Sequence, residues 1–360
     1  MRNVLYIFCM KTLVQARIAE TLQLSQGTVS RALRNRPGIR PEVRMKVLEV
    51  ASQLGYQLPS GNQDDLLDTD RGHFIGILLH APHDRWRSRD GFLSGISAMA
   101  PTLDASLVLH HVNTIECESV LLPENQPPVM RRGYMKGLVL IFRWPHKVVQ
   151  ELSQRFACVS VQHEYAGLPI DVVGANHVQA MQDLAKHLYA LGHRQIGFVG
   201  RCNELSWSRS RFAGYVDALC QHGLEYSPER VIDVATMDLE GYERPIDPWA
   251  KHIDRIIAQM NKGVRAWMCS SDFVGYAVCR GLMNRGIRIP EDVSITGFDA
   301  IREPSFGCPL LTASAVPQHA MGAAALKVVI SRLRRPHEPS HTLFGCSLRV
   351  GASTGPAPAK

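Results

Sequence analysis

The stretch from residue 14 to 56, VQARIAETLQLSQGTVSRALRNRPGIRPEVRMKVLEVASQLGY, constrains the fold more than any other part of this chain. Ile18, Ala19, Leu22 and Leu24 are spaced as the buried face of a short helix that ends in a tight turn. Ser25 stands where an N-cap belongs, and a second helix over roughly 26–34 buries Val29, Ala32 and Leu33. Two short helices joined by a turn of about three to four residues make a helix-turn-helix. The outward face of the second helix carries Gln26, Thr28, Ser30, Arg31 and Arg34, side chains able to bond phosphates and base edges in a major groove. After the loop RNRPGIR a third helix is predicted, with Pro41 in its first turn and an apolar stripe of Val43, Val47, Val50, Ala51 and Leu54. Gly55 ends it.

Charge agrees. Residues 1–60 hold nine Lys/Arg against three Glu, which is +6 of the chain's formal +7. A basic block confined to a small N-terminal unit is the electrostatic footprint of nucleic-acid binding, although a solvated basic face would look the same by charge alone.

TVSRAL in the second helix, RPEVRMKVLEVASQLGY in the third, and the spacing between them resemble the DNA-binding headpiece of the LacI/GalR repressor family. By position, the resemblance implies base reading by Gln26, Gly27 and Arg31 and phosphate contacts by Ser25, Thr28 and Ser30. An Arg31 paired with guanine O6 and N7 would discriminate by about 1–3 kcal/mol. Two residues depart from the family pattern: Gln23 in the turn, where Gly is usual, and Arg40, where a Ser or Thr cap is usual.

The remaining sequence supports one small and two medium domains. MRNVLYIFCM is too short for a signal peptide and no small-residue cleavage site follows it; Met10-Lys11 sits where the resembled family normally begins. No apolar run approaches the ~20 residues of a membrane span. The nine cysteines are scattered without a CxxC pair, which points to thiols in a reducing cytoplasm rather than to disulfides or zinc. Residues 57–72, QLPSGNQDDLLDTDRG, are a composition break. In the resembled family this segment is a hinge helix that wedges Leu into the minor groove. Here Asp64, Asp65, Asp68 and Asp70 would be repelled by phosphates, so a plain acidic linker is the better reading, with Leu66 and Leu67 the only wedge candidates.

From residue 73 short apolar strands alternate with helices, the pattern of doubly wound parallel sheets. The expected fold class is therefore α/β: a small all-α helix-turn-helix headpiece (11–56), a linker (57–72) and a bilobed parallel-sheet core (73–350). The expected lobes are about 73–168 plus 300–330, and about 169–299 plus 331–350. A long amphipathic helix is predicted over 318–334, and residues 351–360 read as a disordered tail. KHLYALGHRQIGFVG, RSRFAGYVDALCQHGL and NRGIRIPEDVSITGFDAI resemble core segments of the same family in order and spacing. The resemblance thus runs over residues 14–330. It implies an effector cleft between two lobes and a homodimer on a two-fold operator.

Effector residues carry over one at a time. Arg211 matches an Arg that reaches ligand hydroxyls or carboxylates; a helix-start salt bridge is its plainer reading. Asp272 matches an acidic residue that accepts from sugar hydroxyls, against a plainer reading as helix cap. Asp299 is assigned to structure. Arg85 and Trp86, in the cluster HAPHDRWRSRDG, stand where the family has a shorter segment; facing the cleft they would stack on a ligand or bind an anion, and facing out they form a surface loop. Trp207 is a candidate stacking residue or core packing. Gln162, Asn176, His177 and Val316 replace residues usual in the family, and His177 joins the candidate effector set. No metal, cofactor or catalytic constellation is expected, and no GxGxxG motif occurs. The expected function is a ligand-responsive transcription regulator, with a solute-binding module or an α/β enzyme as the alternatives.

Overall fold

A computed structural model describes residues 17–33, 39–53, 73–80, 90–112, 114–235, 249–300 and 307–358. The expected linker, together with Arg34, Leu54, Gly55, Arg85 and Trp86, lies outside the described residues. The chain divides into two compact units, residues 1–72 and 73–360.

In the first unit α1 (17–21), α2 (Gln26–Leu33) and α3 (Pro41–Gln53) close on Ile18, Ala19, Val29, Ala32, Leu33, Val47 and Ala51, all buried. Ser25 caps α2 by accepting from the Thr28 N–H at 3.0 Å. Gln23 has φ 52°, the left-handed turn conformation that glycine adopts without strain.

The second unit holds two six-stranded sheets. The first contains β1 (His73–His80), β2 (Ala105–Val112), β3 (Met135–Ile141), β4 (Ala157–Val161) and β5 (Asp171–Ala175), with α4 (Asp90–Met99), α5 (Pro128–Arg131) and α6 (His146–Ser153) between strands. The second contains β6 (Ile196–Arg201), β7 (Val231–Asp233), β8 (Ala266–Cys269), β9 (Ser294–Asp299) and β10 (Thr312–Ala315). Its helices are α7 (His177–Ala190), α8 (Ser206–Gln221), α9 (Ala250–Met260) and α10 (Asp272–Met283). The chain then returns through α11 (Gln318–Arg334) to β11 (His341–Phe344) on the first sheet and β12 (Ser347–Arg349) on the second. Strand orders are β11-β5-β4-β3-β1-β2 and β12-β10-β9-β8-β6-β7, parallel throughout except for the antiparallel β10–β12 pair. Helix α11 packs on α4 so closely that Gly95 and Gly322 meet the facing backbone directly; any side chain there would collide with His319 or Phe92.

Sheet membership corrects the expected lobe boundaries. Strand β5, placed by sequence in the second lobe, belongs to the first sheet, and β10, placed in the first, belongs to the second. The last strand segment is two strands on different sheets. The chain therefore crosses between lobes three times, near residues 176, 317 and 345. Asp171, fully buried at the start of β5, holds the returning chain in the first lobe. It accepts from Arg332 Nη1 at 2.8 Å and from Ser340 N and Oγ at 2.8 and 2.7 Å.

The C-terminal segment is also corrected. Residues 351–358 run along the second lobe, and Ser353 is fully buried, accepting from Thr312 N and donating to the Ile295 carbonyl. His193 Nε2–H donates to the Gly355 carbonyl at 3.1 Å, and Ala357 N donates to the Leu191 carbonyl at 2.8 Å. Small residues let this segment lie flat, and its backbone bonds replace those that would otherwise go to water. Burial pushes the imidazoles of His193 and His187 below the ordinary 6.5. Their neutral forms are the folded ones, so stability is complete above about pH 6.5 and is lost as pH falls through that value. The melting temperature should hold between pH 7 and 8 and drop from pH 6.5 to 5, and His193→Gln should flatten part of the drop. A profile unchanged by that substitution contradicts the assignment.

Candidate functional site

On α2, Ser25, Gln26, Gly27 and Arg31 are exposed and Thr28 and Ser30 partly so, while Val29, Ala32 and Leu33 are buried. The helix thus presents to solvent the side chains that sequence assigns to bases and phosphates. Ser25 and Thr28 also serve the cap, with their hydroxyls 2.8 Å apart.

In the second unit a polar cluster forms at the C-terminal ends of the second sheet, the place where open α/β sheets bind ligands. The start of α8 is fastened to β6 by Ser208, whose hydroxyl donates to the Gly200 carbonyl at 3.0 Å and accepts from Cys202 N at 2.9 Å. One turn on, Arg211 turns inward and is 3 % exposed. Its Nε donates to His177 Nδ1 at 3.3 Å, Nη1 to the Ser270 carbonyl, and Nη2 to Asp299 Oδ1 at 3.3 Å. The guanidinium lies 3.5 Å from the centre of the Phe298 ring and 4.7 Å from that of Trp207. The charge is thus held by hydrogen bonds, a carboxylate and two aromatic faces, the partners a buried cation needs. His177, the first residue of α7, is buried against Phe298, and Asn176 caps the helix by accepting from Gln179 N. Burial first, then Arg211 and His163, hold the His177 pKa well below 6.5.

Of the predicted effector residues, the structure brings Arg211, His177 and Trp207 together. Asp272 is placed differently. It is 1 % exposed, at the start of α10, with its carboxylate against Gly297 of β9. The cap of α10 is Ser271, which accepts from Val274 N at 3.3 Å. The carboxylate beside Arg211 is that of Asp299, which the sequence reading assigned to structure. Its side chain is 24 % exposed and pairs with Arg211. Its φ of 101° is followed by 55° at Ala300, and Phe142 (70°) and Gln162 (69°) repeat the conformation just past β3 and β4. Four of the six described non-glycine residues with positive φ thus lie at or just past strand C-termini, and such strained positions gather at binding sites. The available signal was Asp299's place as the last residue of a buried strand. Among the described residues no group of His, Cys, Asp and Glu is arranged to hold a metal ion, and no helix is long and apolar enough to cross a membrane.

Residues 185–354 match the periplasmic binding protein-like domain. The HTH-type transcriptional regulator AglR of Rhizobium meliloti is 27 % identical over 95 % of this chain and 94 % of its own length. Over nearly its whole length the chain is similar to regulators of the LacI/GalR type. The curated relatives it matches are named as transcriptional regulators and repressors. Two solved structures share the fold at a TM-score of 0.64: a complex of the transcriptional regulator CelR with cellobiose, 20 % identical and covering 93 % of this chain and 98 % of that one, and the Lac repressor dimer bound to operator and the anti-inducer ONPF, 19 % identical with coverages of 94 % and 98 %.

Proposed function

We propose that this protein is a transcriptional repressor whose affinity for an operator is set by a small neutral sugar or sugar derivative bound beside Arg211, His177, Trp207 and Asp299. The observation that carries the effector half is the state of Arg211. Its charge is matched by Asp299 and its donors reach His177 and the Ser270 carbonyl, so the site offers a carboxylate and an imidazole beside aromatic faces. That composition suits ring hydroxyls better than a phosphate or carboxylate. An anionic or nucleobase ligand is the second reading, favoured by the arginine-rich sequence at 85–89. Complexes such as that of CelR with cellobiose support the first.

The DNA half rests on Gln26, Gly27 and Arg31, exposed on α2 in a basic unit. Residues 11–56 form the headpiece and 57–72 the linker, and the division of the chain at Gly72/His73 supports this arrangement. Two headpieces carried by a homodimer fit a two-fold operator, as in the Lac repressor complex. Effector binding changes the relative disposition of the lobes, and operator affinity shifts by the difference in effector binding energy between the two states.

Two outcomes are expected. Arg31→Ala weakens binding to a selected operator by about tenfold or more but binding to bulk duplex by much less, since losing a base contact costs about 1–3 kcal/mol; equal losses on both, measured by fluorescence anisotropy, would show that Arg31 touches only phosphate. In calorimetry with whichever neutral sugar stabilises the protein most, Asp299→Asn lowers affinity by about tenfold. Asp272→Asn lowers the melting temperature and leaves affinity within about twofold, because that carboxylate sits in helix–strand packing. The reverse pattern would restore Asp272 as the ligand acceptor.

A further inference from the structure

Arginine only donates. Because Arg211 Nε–H points at His177 Nδ1, that nitrogen is the bare acceptor of a neutral imidazole and the ring proton sits on Nε2. Among the described residues Nε2 has no hydrogen-bond partner, and His177 keeps 8 % of its surface exposed. The ring is held against Phe298, with centroids 5.5 Å apart, and Phe298 immediately precedes Asp299. One guanidinium therefore fixes two groups of opposite character: through Nε it orients a donor, and through Nη2 it orients an acceptor. His177 opens α7 directly after the chain leaves β5, so the donor stands at the first crossing between lobes.

We propose that His177 is the specificity-determining donor of this site: its Nε2–H, set by Arg211, and the Asp299 carboxylate together read an acceptor and a donor on neighbouring ligand atoms, as two adjacent ring hydroxyls of a neutral sugar present them. This rests on the effector reading above. It separates His177 from the ring packing that its burial alone would suggest, because a packing residue has no requirement for a particular tautomer. Glutamine at this position retains an oxygen for Arg211 and an N–H for the ligand. Leucine retains neither.

The test uses full-length protein. Wild type, His177→Gln and His177→Leu are titrated calorimetrically with the member of a panel of glucose, galactose, cellobiose, maltose, ribose and xylose that raises the wild-type melting temperature most. His177→Leu should weaken binding about tenfold or more and His177→Gln no more than about threefold. Variants that both bind like wild type, or that weaken equally, overturn the donor role. A wild-type protein that responds to no sugar in the panel overturns the effector reading, and this proposal with it. Long-range proton–nitrogen NMR on histidine-labelled wild type, assigned with His177→Gln, gives a readout without any ligand. Protonated Nε2 and bare Nδ1 are expected, and the opposite tautomer overturns the proposal even if the variants fail to fold.

Discussion

A single guanidinium organises the strand C-terminal end of the second lobe. Arg211 on α8 reaches the start of α7, the end of β8 and the end of β9, and two aromatic rings cover its faces. Taking a cation out of water costs several kcal/mol, and only a full set of partners offsets it. Each partner is thereby constrained in return: the tautomer of His177, the aim of the Asp299 carboxylate and the carbonyl that closes β8. The strained backbone at Asp299 and Ala300 persists because this ion pair and the close packing of β9 hold it.

The two sheets make such a cluster available to a ligand. All strands but β12 run parallel within their sheets, so loops and helix starts gather at the strand C-termini. Three crossings join the lobes. Asn176 N donates to the Phe344 carbonyl at 2.8 Å, tying two of the crossings together. A ligand held at one lobe's strand ends beside these crossings would be well placed to bias the lobes' arrangement.

The headpiece was readable from sequence because helical spacing, a cap and exposed polar residues all coincide within residues 17–53. Helix α11 was readable to the residue for the same reason: its apolar stripe is long and ends before Pro336. Lobe membership was not. Strands β5 and β10 are buried on both faces, so their sequences show that they are parallel core strands without naming the sheet they join. The tail at 351–358 looked disordered from its Gly, Ala and Pro content. Its order depends on backbone bonds to distant residues such as Leu191 and Gly355's partner His193, which leave no local pattern. Arg211 was singled out by resemblance, whereas the structure alone shows that Asp272 is enclosed and that Asp299 is the carboxylate paired with Arg211.

The central claim is that one protein couples a ligand at the Arg211 cluster to DNA at α2. Coupling of this kind is reciprocal: the factor by which a sugar changes operator affinity must equal the factor by which operator changes sugar affinity. The most direct measurement is therefore a closed cycle of four dissociation constants, operator with and without saturating sugar and sugar with and without operator. The account predicts a shared factor of about fivefold or more, since functional couplings are typically 1–3 kcal/mol. An operator affinity that stays the same under saturating sugar would contradict it.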